Sequence, residues 1–397
     1  MRAAWSARRV WSMSRVTSST DRVSATSPPA SRAKAGLPRL RRYWLTGHRW
    51  LALTAGWLLA LAGLTGALLM IGVPIDEIVH RDLYEVARSG NAEPLPLDAV
   101  RERIDARFGP RAVASFRLPR TPHASLAVNV RGPWNGTVYI DPYSGDELGR
   151  IGQNEGFVNF VFNLHSSLAW GSTGKAILAC VALCYLFMLM TGIVLWWPRP
   201  GMPAFRLELR RGKTLALYDL HRAGGAALGL VIAVSVATGA FMAYRPIGAW
   251  ISALAGSQPA RVPTLASHER MAMLPLDVLV ARARERFPDA QPSLLQMPGK
   301  AGQPMRVRLH APDDPHPNGL TSVSLDPYTG KVLLAQRWNE LDPGARAASV
   351  IYPLHTGEIG GVPLKTLLGV GGCALFGLCI TGVWQWLRRR KRRNAAA

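Results

Sequence analysis

Residues 48–67 read HRWLALTAGWLLALAGLTGA, and residues 221–240 read HRAGGAALGLVIAVSVATGA. Each stretch opens on His-Arg, continues through an uncharged apolar run and reaches Thr-Gly-Ala 17 residues after its histidine. A helix needs about 20 apolar residues to cross hydrocarbon. Four runs approach that length: residues 51–73, 176–197, 223–244 and 366–387. Composition agrees, since 48% of the 397 residues are hydrophobic and only 18% are charged, which is low for a soluble chain. The expected fold class is an α-helical membrane protein with four transmembrane helices.

A net charge of +22 suggests nucleic acid only if it is spread over one soluble surface. It is not. Residues 1–49 hold eleven Lys/Arg against one acid, residues 198–222 hold six against two, and residues 388–393 add six more. The two long intervening segments are nearly balanced, with ten basic and twelve acidic residues over 75–155 and eleven against nine over 246–353. By the positive-inside rule both termini and the middle loop are cytoplasmic and both long segments lie outside. Lipid is therefore the expected partner, and nucleic acid is not. Cys180, Cys184, Cys373 and Cys379 all fall inside expected spans, so they pack rather than staple an outer domain.

The chain also matches itself. Pro96-Leu97-Asp98 recurs as Pro275-Leu276-Asp277, Asp141-Pro142-Tyr143-Ser144-Gly145 as Asp326-Pro327-Tyr328-Thr329-Gly330, and Leu164-His165-Ser166 as Leu354-His355-Thr356. From His165 to Thr191-Gly192, and from His355 to Thr381-Gly382, the distance is 26 residues in both cases. The pattern reads as two tandem parallel repeats. Each has two spans and an α+β outer domain: a helix over 96–108 or 275–287, then β-rich runs such as 126–130 and 321–325. The Asp-Pro-Tyr-Ser/Thr-Gly segment is a turn into a final strand.

Of nine histidines, four sit at repeat-matched span ends: His48 and His221 inside, His165 and His355 outside. A lone histidine at a helix end is more often an interfacial hydrogen-bonder than a ligand. Matched pairs related by an axis along the membrane normal suit two imidazoles clamping a low-spin haem iron. An inner and an outer histidine cannot share one iron, because a span of 24 residues is roughly 36 Å long. His165 and His355 precede their spans and are expected at the outer surface. Gly56, Gly63, Gly224, Gly225 and Gly229 leave room for a flat macrocycle or serve close helix packing. Arg49 and Arg222 are candidate propionate partners, or topology residues, and Met188 is the alternative to an outer histidine as ligand. Trp196, Trp197, Trp384 and Trp386 read as an interfacial belt. A His-Glu-x-x-His zinc motif, a P-loop and a strand-linked dinucleotide motif are all missing from the sequence.

On these residues the chain resembles, over 43–390, the PepSY-associated transmembrane family, also known as iron-regulated membrane proteins. The resemblance rests on His-Arg opening spans one and three, the four Thr-Gly pairs, the helix followed by Asp-Pro-Tyr-Ser/Thr-Gly, and Leu-His-Ser/Thr before spans two and four. It implies a bacterial inner membrane, two b-type haems held by His48, His221, His165 and His355, and PepSY-like periplasmic domains. The implied activity is reduction of Fe(III) in a ferric siderophore or other ferric chelate, with a quinol or a cytoplasmic reductase as electron donor. The alternative is a haem-free module that binds or restrains extracytoplasmic peptidases; a transporter ranks last. The expected divisions are a disordered basic tail (1–42), a first span (43–73), the first outer domain (74–162), and the outer-histidine segment with the second span (163–198). They continue with a cytoplasmic loop (199–220), a third span (221–245), the second outer domain (246–352), the outer-histidine segment with the fourth span (353–387), and a basic tail (388–397).

Overall fold

The computed structural model describes residues 36–395 apart from 88–91, 198–204, 206, 211, 245, 247–249, 251–252, 255–264, 266–271, 301 and 317. Helices are α1 Gly36–Thr54, α2 Gly56–Val79, α3 Arg81–Tyr84, α4 Leu97–Phe108, α5 Gly156–Ser167, α6 Gly171–Trp196, α7 Lys213–Ala243, α8 Leu276–Arg286, α9 Pro343–Ser349, α10 Ile351–His355 and α11 Gly361–Asn394. Strands are β1 Val113–Arg117, β2 Leu126–Arg131, β3 Gly136–Ile140, β4 Glu147–Gly152, β5 Gln291–Gln296, β6 Met305–His310, β7 Thr321–Leu325 and β8 Val332–Gln336.

Four helices are long and apolar enough to cross a membrane: α2, α6, α7 and the helix containing α11. A helix satisfies its backbone polar groups internally, which is the requirement hydrocarbon imposes. Three divisions move relative to the sequence expectation. Of the expected disordered tail, residues 1–35 lie outside the described residues, and from Gly36 the chain is helical. Residues 213–220, assigned to the cytoplasmic loop, form the first turns of α7, so His221 lies within that helix rather than at its opening. The basic run 388–393 continues α11. In each case apolar length sets only the minimum of a span, and helix-compatible polar residues at its ends extend it.

The spans pack α2 on α11, α6 on α7 and α7 on α11, around Leu59, Val181, Tyr185, Ile232 and Leu375. The closest crossing is made by two glycines: a Cβ on Gly63 would lie 2.7 Å from the Gly372 carbonyl oxygen, and one on Gly372 would lie 2.5 Å from that of Gly63. Gly229 lies against Leu189, while Gly56 and Gly224 border open space. Gly63 and Gly229 serve close packing, a Cβ on Gly225 would lie 3.8 Å from Leu378, and one on Gly56 or Gly224 would meet nothing within 4 Å.

Outside the spans, the expected pair of α+β units shares one eight-stranded sheet of order β4-β3-β2-β1-β5-β6-β7-β8. Two antiparallel meanders meet where β1 pairs β5 (Ser115↔Gln296, Phe116↔Leu295, Arg117↔Leu294). Phe116, Val128, Val138, Leu295, Val307 and Val323 join α4 and α8 in one core. The Pro-Leu-Asp motifs explain the joint. Asp277 accepts from the Leu97 backbone N–H (2.8 Å) and Asp98 from that of Leu276 (2.8 Å), so each acid caps the other unit's helix. The Asp-Pro-Tyr turns lead into β4 and β8: Asp141 Oδ1 accepts from Tyr143 N–H (2.8 Å), Asp326 Oδ1 from Tyr328 N–H (2.9 Å), and Gly145 and Gly330 take positive φ (74° and 71°).

The Gly63/Gly372 contact yields a stability prediction. Gly372→Leu, which overpacks the crossing, should destabilise the protein by about 1–3 kcal/mol. Gly377→Ala, at a position with nothing within 4 Å, should stay within about 1 kcal/mol of wild type. Thermal unfolding in detergent measures both.

Candidate functional site

His48, six residues before the end of α1, places Nδ1 2.7 Å from Thr191 Oγ1 on α6. That hydroxyl spends its own proton on the Met188 carbonyl (2.7 Å), so its oxygen accepts and His48 Nδ1 carries the hydrogen. His221 repeats the arrangement on α7: Nδ1 donates to Thr381 Oγ1 of α11 (3.1 Å), whose proton goes to the Gly377 carbonyl (2.7 Å). The other two rings are fixed more firmly. His165 Nδ1 lies 3.1 Å from both Thr65 Oγ1 and the Ala62 carbonyl oxygen of α2. His355 Nδ1 lies 3.0 Å from both Thr238 Oγ1 and the Ser235 carbonyl oxygen of α7. A carbonyl can only accept, so both rings carry hydrogen on Nδ1. All four imidazoles therefore keep a lone pair on Nε2, the form that ligates a metal.

The residue after each threonine is glycine for a reason the geometry supplies. A Cβ on Gly66 or Gly239 would stand 3.0 Å from Cε1 of His165 or His355, and one on Gly192 or Gly382 would stand 3.5 Å from Cε1 of His48 or His221. Threonine holds the ring and glycine lets it approach. Sequence reasoning treated Thr-Gly only as a repeat marker; its 17- and 26-residue spacings from histidine were the available signal.

These hydrogen bonds lie within each half of the chain, whereas the ring pairs form between halves. His48 and His221 have ring centroids 6.4 Å apart at an interplanar angle of 88°, and His165 and His355 have centroids 6.1 Å apart at 33°. Two imidazole nitrogens each about 2 Å from one metal place their ring centroids roughly 6 Å apart. Both pairs have that spacing. Among the described residues no group of three or more His, Cys, Asp or Glu could hold a bare ion.

His165 and His355 precede their spans in the chain, and their rings lie against spanning helices. α5 packs along α2, and α10 along α7, so the rings dock at Thr65, nine residues after the start of α2, and at Thr238, five residues before the end of α7. After α5 the return is a tight turn through Leu168 and Ala169 (φ 51° and 56°) and Gly171 (φ 55°). Non-glycine residues take such angles only where surrounding packing holds them.

The two arginines beside the first pair differ. Arg222 Nη2 lies 3.8 Å from Asp219, whereas buried Arg49 Nε meets no hydrogen-bond partner among the described residues. Thr46 stands where the second half has Asp219, so Arg49 lacks that neighbouring acid. Met188 packs against the span core. Arg388 lies over Trp384 (4.1 Å) and Arg390 over Trp386 (5.6 Å).

A further histidine, without a matched counterpart in the sequence, ties the sheet to α10. His316 is 3% exposed and stacks on Tyr352 of α10 (centroids 5.5 Å, 23°). Its Nδ1 accepts from Asn318 N–H (2.8 Å), leaving Nε2–H toward Glu358 Oε2 at 3.3 Å. Burial first, then the Arg308 and Arg120 guanidiniums, lower its pKa to about 4 against the partial offset of Asp314. It is neutral in the fold, while in an unfolded chain it titrates near 6.5. Its contribution is complete above about 6.5 and is lost as pH falls toward 4. Acidification from pH 7 to 4.5 should therefore cost up to about 3 kcal/mol through this group. Comparing the pH dependence of thermal unfolding in wild type and His316→Asn isolates that contribution, which should disappear in the variant.

A model of the family described as PepSY-associated TM region matches residues 45–389. No curated protein matches the chain significantly.

Proposed function

The chain belongs to the PepSY-associated transmembrane family, and from that premise and its paired imidazoles we propose that it is a di-haem b reductase moving electrons across the bacterial inner membrane to a periplasmic ferric siderophore or other ferric chelate. The observation that carries this reading is the pair spacing, 6.4 and 6.1 Å between centroids, together with four rings whose Nδ1–H is already satisfied. The halves are read as tandem parallel repeats with both termini cytoplasmic, in keeping with the basic residues concentrated on one side.

Each haem would supply one-electron exchange between ferric and ferrous iron. The protein's part is orientation. Thr191 and Thr381 fix the rings of His48 and His221; Thr65 with the Ala62 carbonyl, and Thr238 with the Ser235 carbonyl, fix those of His165 and His355. Hydrogen bonding at Nδ1 raises ligand basicity and holds the tautomer. The open space beside Gly56 and Gly224 suits a flat ring near the first pair, and the unpartnered Arg49 Nε suits a propionate, with Arg222 the second candidate. Along α1 and α2 the rise from His48 to Thr65 is about 25 Å, so the two pairs hold separate groups. The donor to the first pair is a quinol or a cytoplasmic reductase. A haem held by His165 and His355 would supply the electron to the chelate, whose hard oxygen ligands favour Fe(III) over Fe(II).

Protein purified from haem-replete cells should be red, with a Soret band that shifts on dithionite reduction and two haems per chain. His165→Ala should retain one haem, and Thr65→Val should weaken haem retention at the same pair by about 10–100-fold. A colourless preparation overturns the reading and leaves the haem-free peptidase-binding module.

A second prediction concerns the glycines. Gly66→Leu, which drives a side chain into the His165 ring, should lose one haem while leaving the spectrum of the other unchanged; haem-to-protein stoichiometry measures it.

A further inference from the structure

One face of the eight-stranded sheet is covered by α4 and α8; the opposite face bears a row of cations. Strand register fixes this, because Arg117 opposes Leu294, which opposes Arg308, which opposes Ser322, while Gln296 opposes Arg306. Directly opposed residues share a face. This face looks toward the ends of the spans: Tyr139 packs against Tyr84 of α3 (centroids 5.0 Å), and Ser349 of α9 helps close a cavity of about 310 Å³ with Gln296, Arg306, Arg308, Ser322 and Gln336.

Most of the lining is polar, and it contains no carboxylate. Arg306 donates to Ser322 Oγ at 3.0 Å and Arg308 to the Gly319 carbonyl. No ion pair joins either guanidinium to an acid among the described residues. Elsewhere the same sheet layer does pair its arginines: Arg337 with Asp289 and Asp313, Arg101 with Asp105, and Arg107 with Glu147. The Cα atoms of alternate residues on one strand stand roughly 7 Å apart, and burial depresses the pKa of both arginines, with Arg306 lowering that of Arg308 further and Asp314 and Tyr352 partly offsetting it. Side by side with no ion-paired acid among the described residues, in a concavity with hydroxyl and amide groups around them, they form a receptor for an anion with more than one oxygen-bearing charged group.

We propose that the Arg306–Arg308 cavity binds a small polycarboxylate, free or as its ferric complex. The site is separate from the paired histidines and does not depend on what they hold.

Isothermal titration of the full-length protein in neutral detergent at low ionic strength, with citrate as the probe, should show saturable 1:1 binding that weakens as salt rises. Arg306→Gln, which removes one charge and only the bond to Ser322, should weaken binding at least 10-fold. Gln336→Glu, which places a carboxylate inside the cavity, should abolish it without lowering the unfolding temperature. Ferric citrate titrated in parallel distinguishes the two sources of the anion: tighter binding identifies the chelate, equal binding the free acid. Citrate that fails to bind wild type, or binds Arg306→Gln as tightly as wild type, overturns the proposal. The same titration on His165→Ala should be unchanged, which keeps the outcome independent of the haem reading.

Discussion

An imidazole buried among apolar helices must place its N–H on an acceptor or forfeit the energy of a desolvated polar group. Within a bundle of spans few acceptors are free, because backbone carbonyls already serve the helix. A threonine solves this by giving its proton to a carbonyl three or four residues back, as Thr65, Thr191, Thr238 and Thr381 do, and offering the oxygen's remaining lone pair to a ring on another helix. The exchange ties α1 to α6, α5 to α2, α7 to α11 and α10 to α7, and it fixes tautomer and ring position together. The spacing of both histidine pairs depends on those four bonds.

The layer outside the spans is joined to them rather than suspended above them. α3 continues from α2 and lies against β3 and β4, with the Tyr84 hydroxyl reaching Asp76 at 3.3 Å. At the other side Trp338 Nε1 donates to Ser349 of α9 (2.9 Å), and His316 stacks on Tyr352, three residues before His355. Whatever shifts the sheet on that side therefore acts on a helix of five residues that carries a candidate ligand.

Much of this was readable in the residues. Hydropathy located the four spans, because hydrocarbon demands length and apolarity and little else. The two His-Arg stretches and the matched Leu-His motifs singled out the four rings that the fold brings into pairs. What could not be read was anything settled by contact between distant segments. Asp98 and Asp277 read only as parts of a repeated Pro-Leu-Asp motif, and the fold shows each capping the other unit's helix. The edges of β1 and β5 carry no signal that they pair. His165 reads only as preceding its span, and the fold shows α5 packed along α2 with the ring against Thr65. His316 was invisible for want of a matched partner.

The joint between β1 and β5 has a thermodynamic consequence. Each outer unit leaves one strand edge and one helix N-terminus to be completed by the other, so detaching either would expose an unpaired ladder and uncap a helix at the same moment. Partial opening of this layer is thus penalised from both sides of the seam. The seam couples the stability of two units whose capping residues lie some 180 positions apart in the chain.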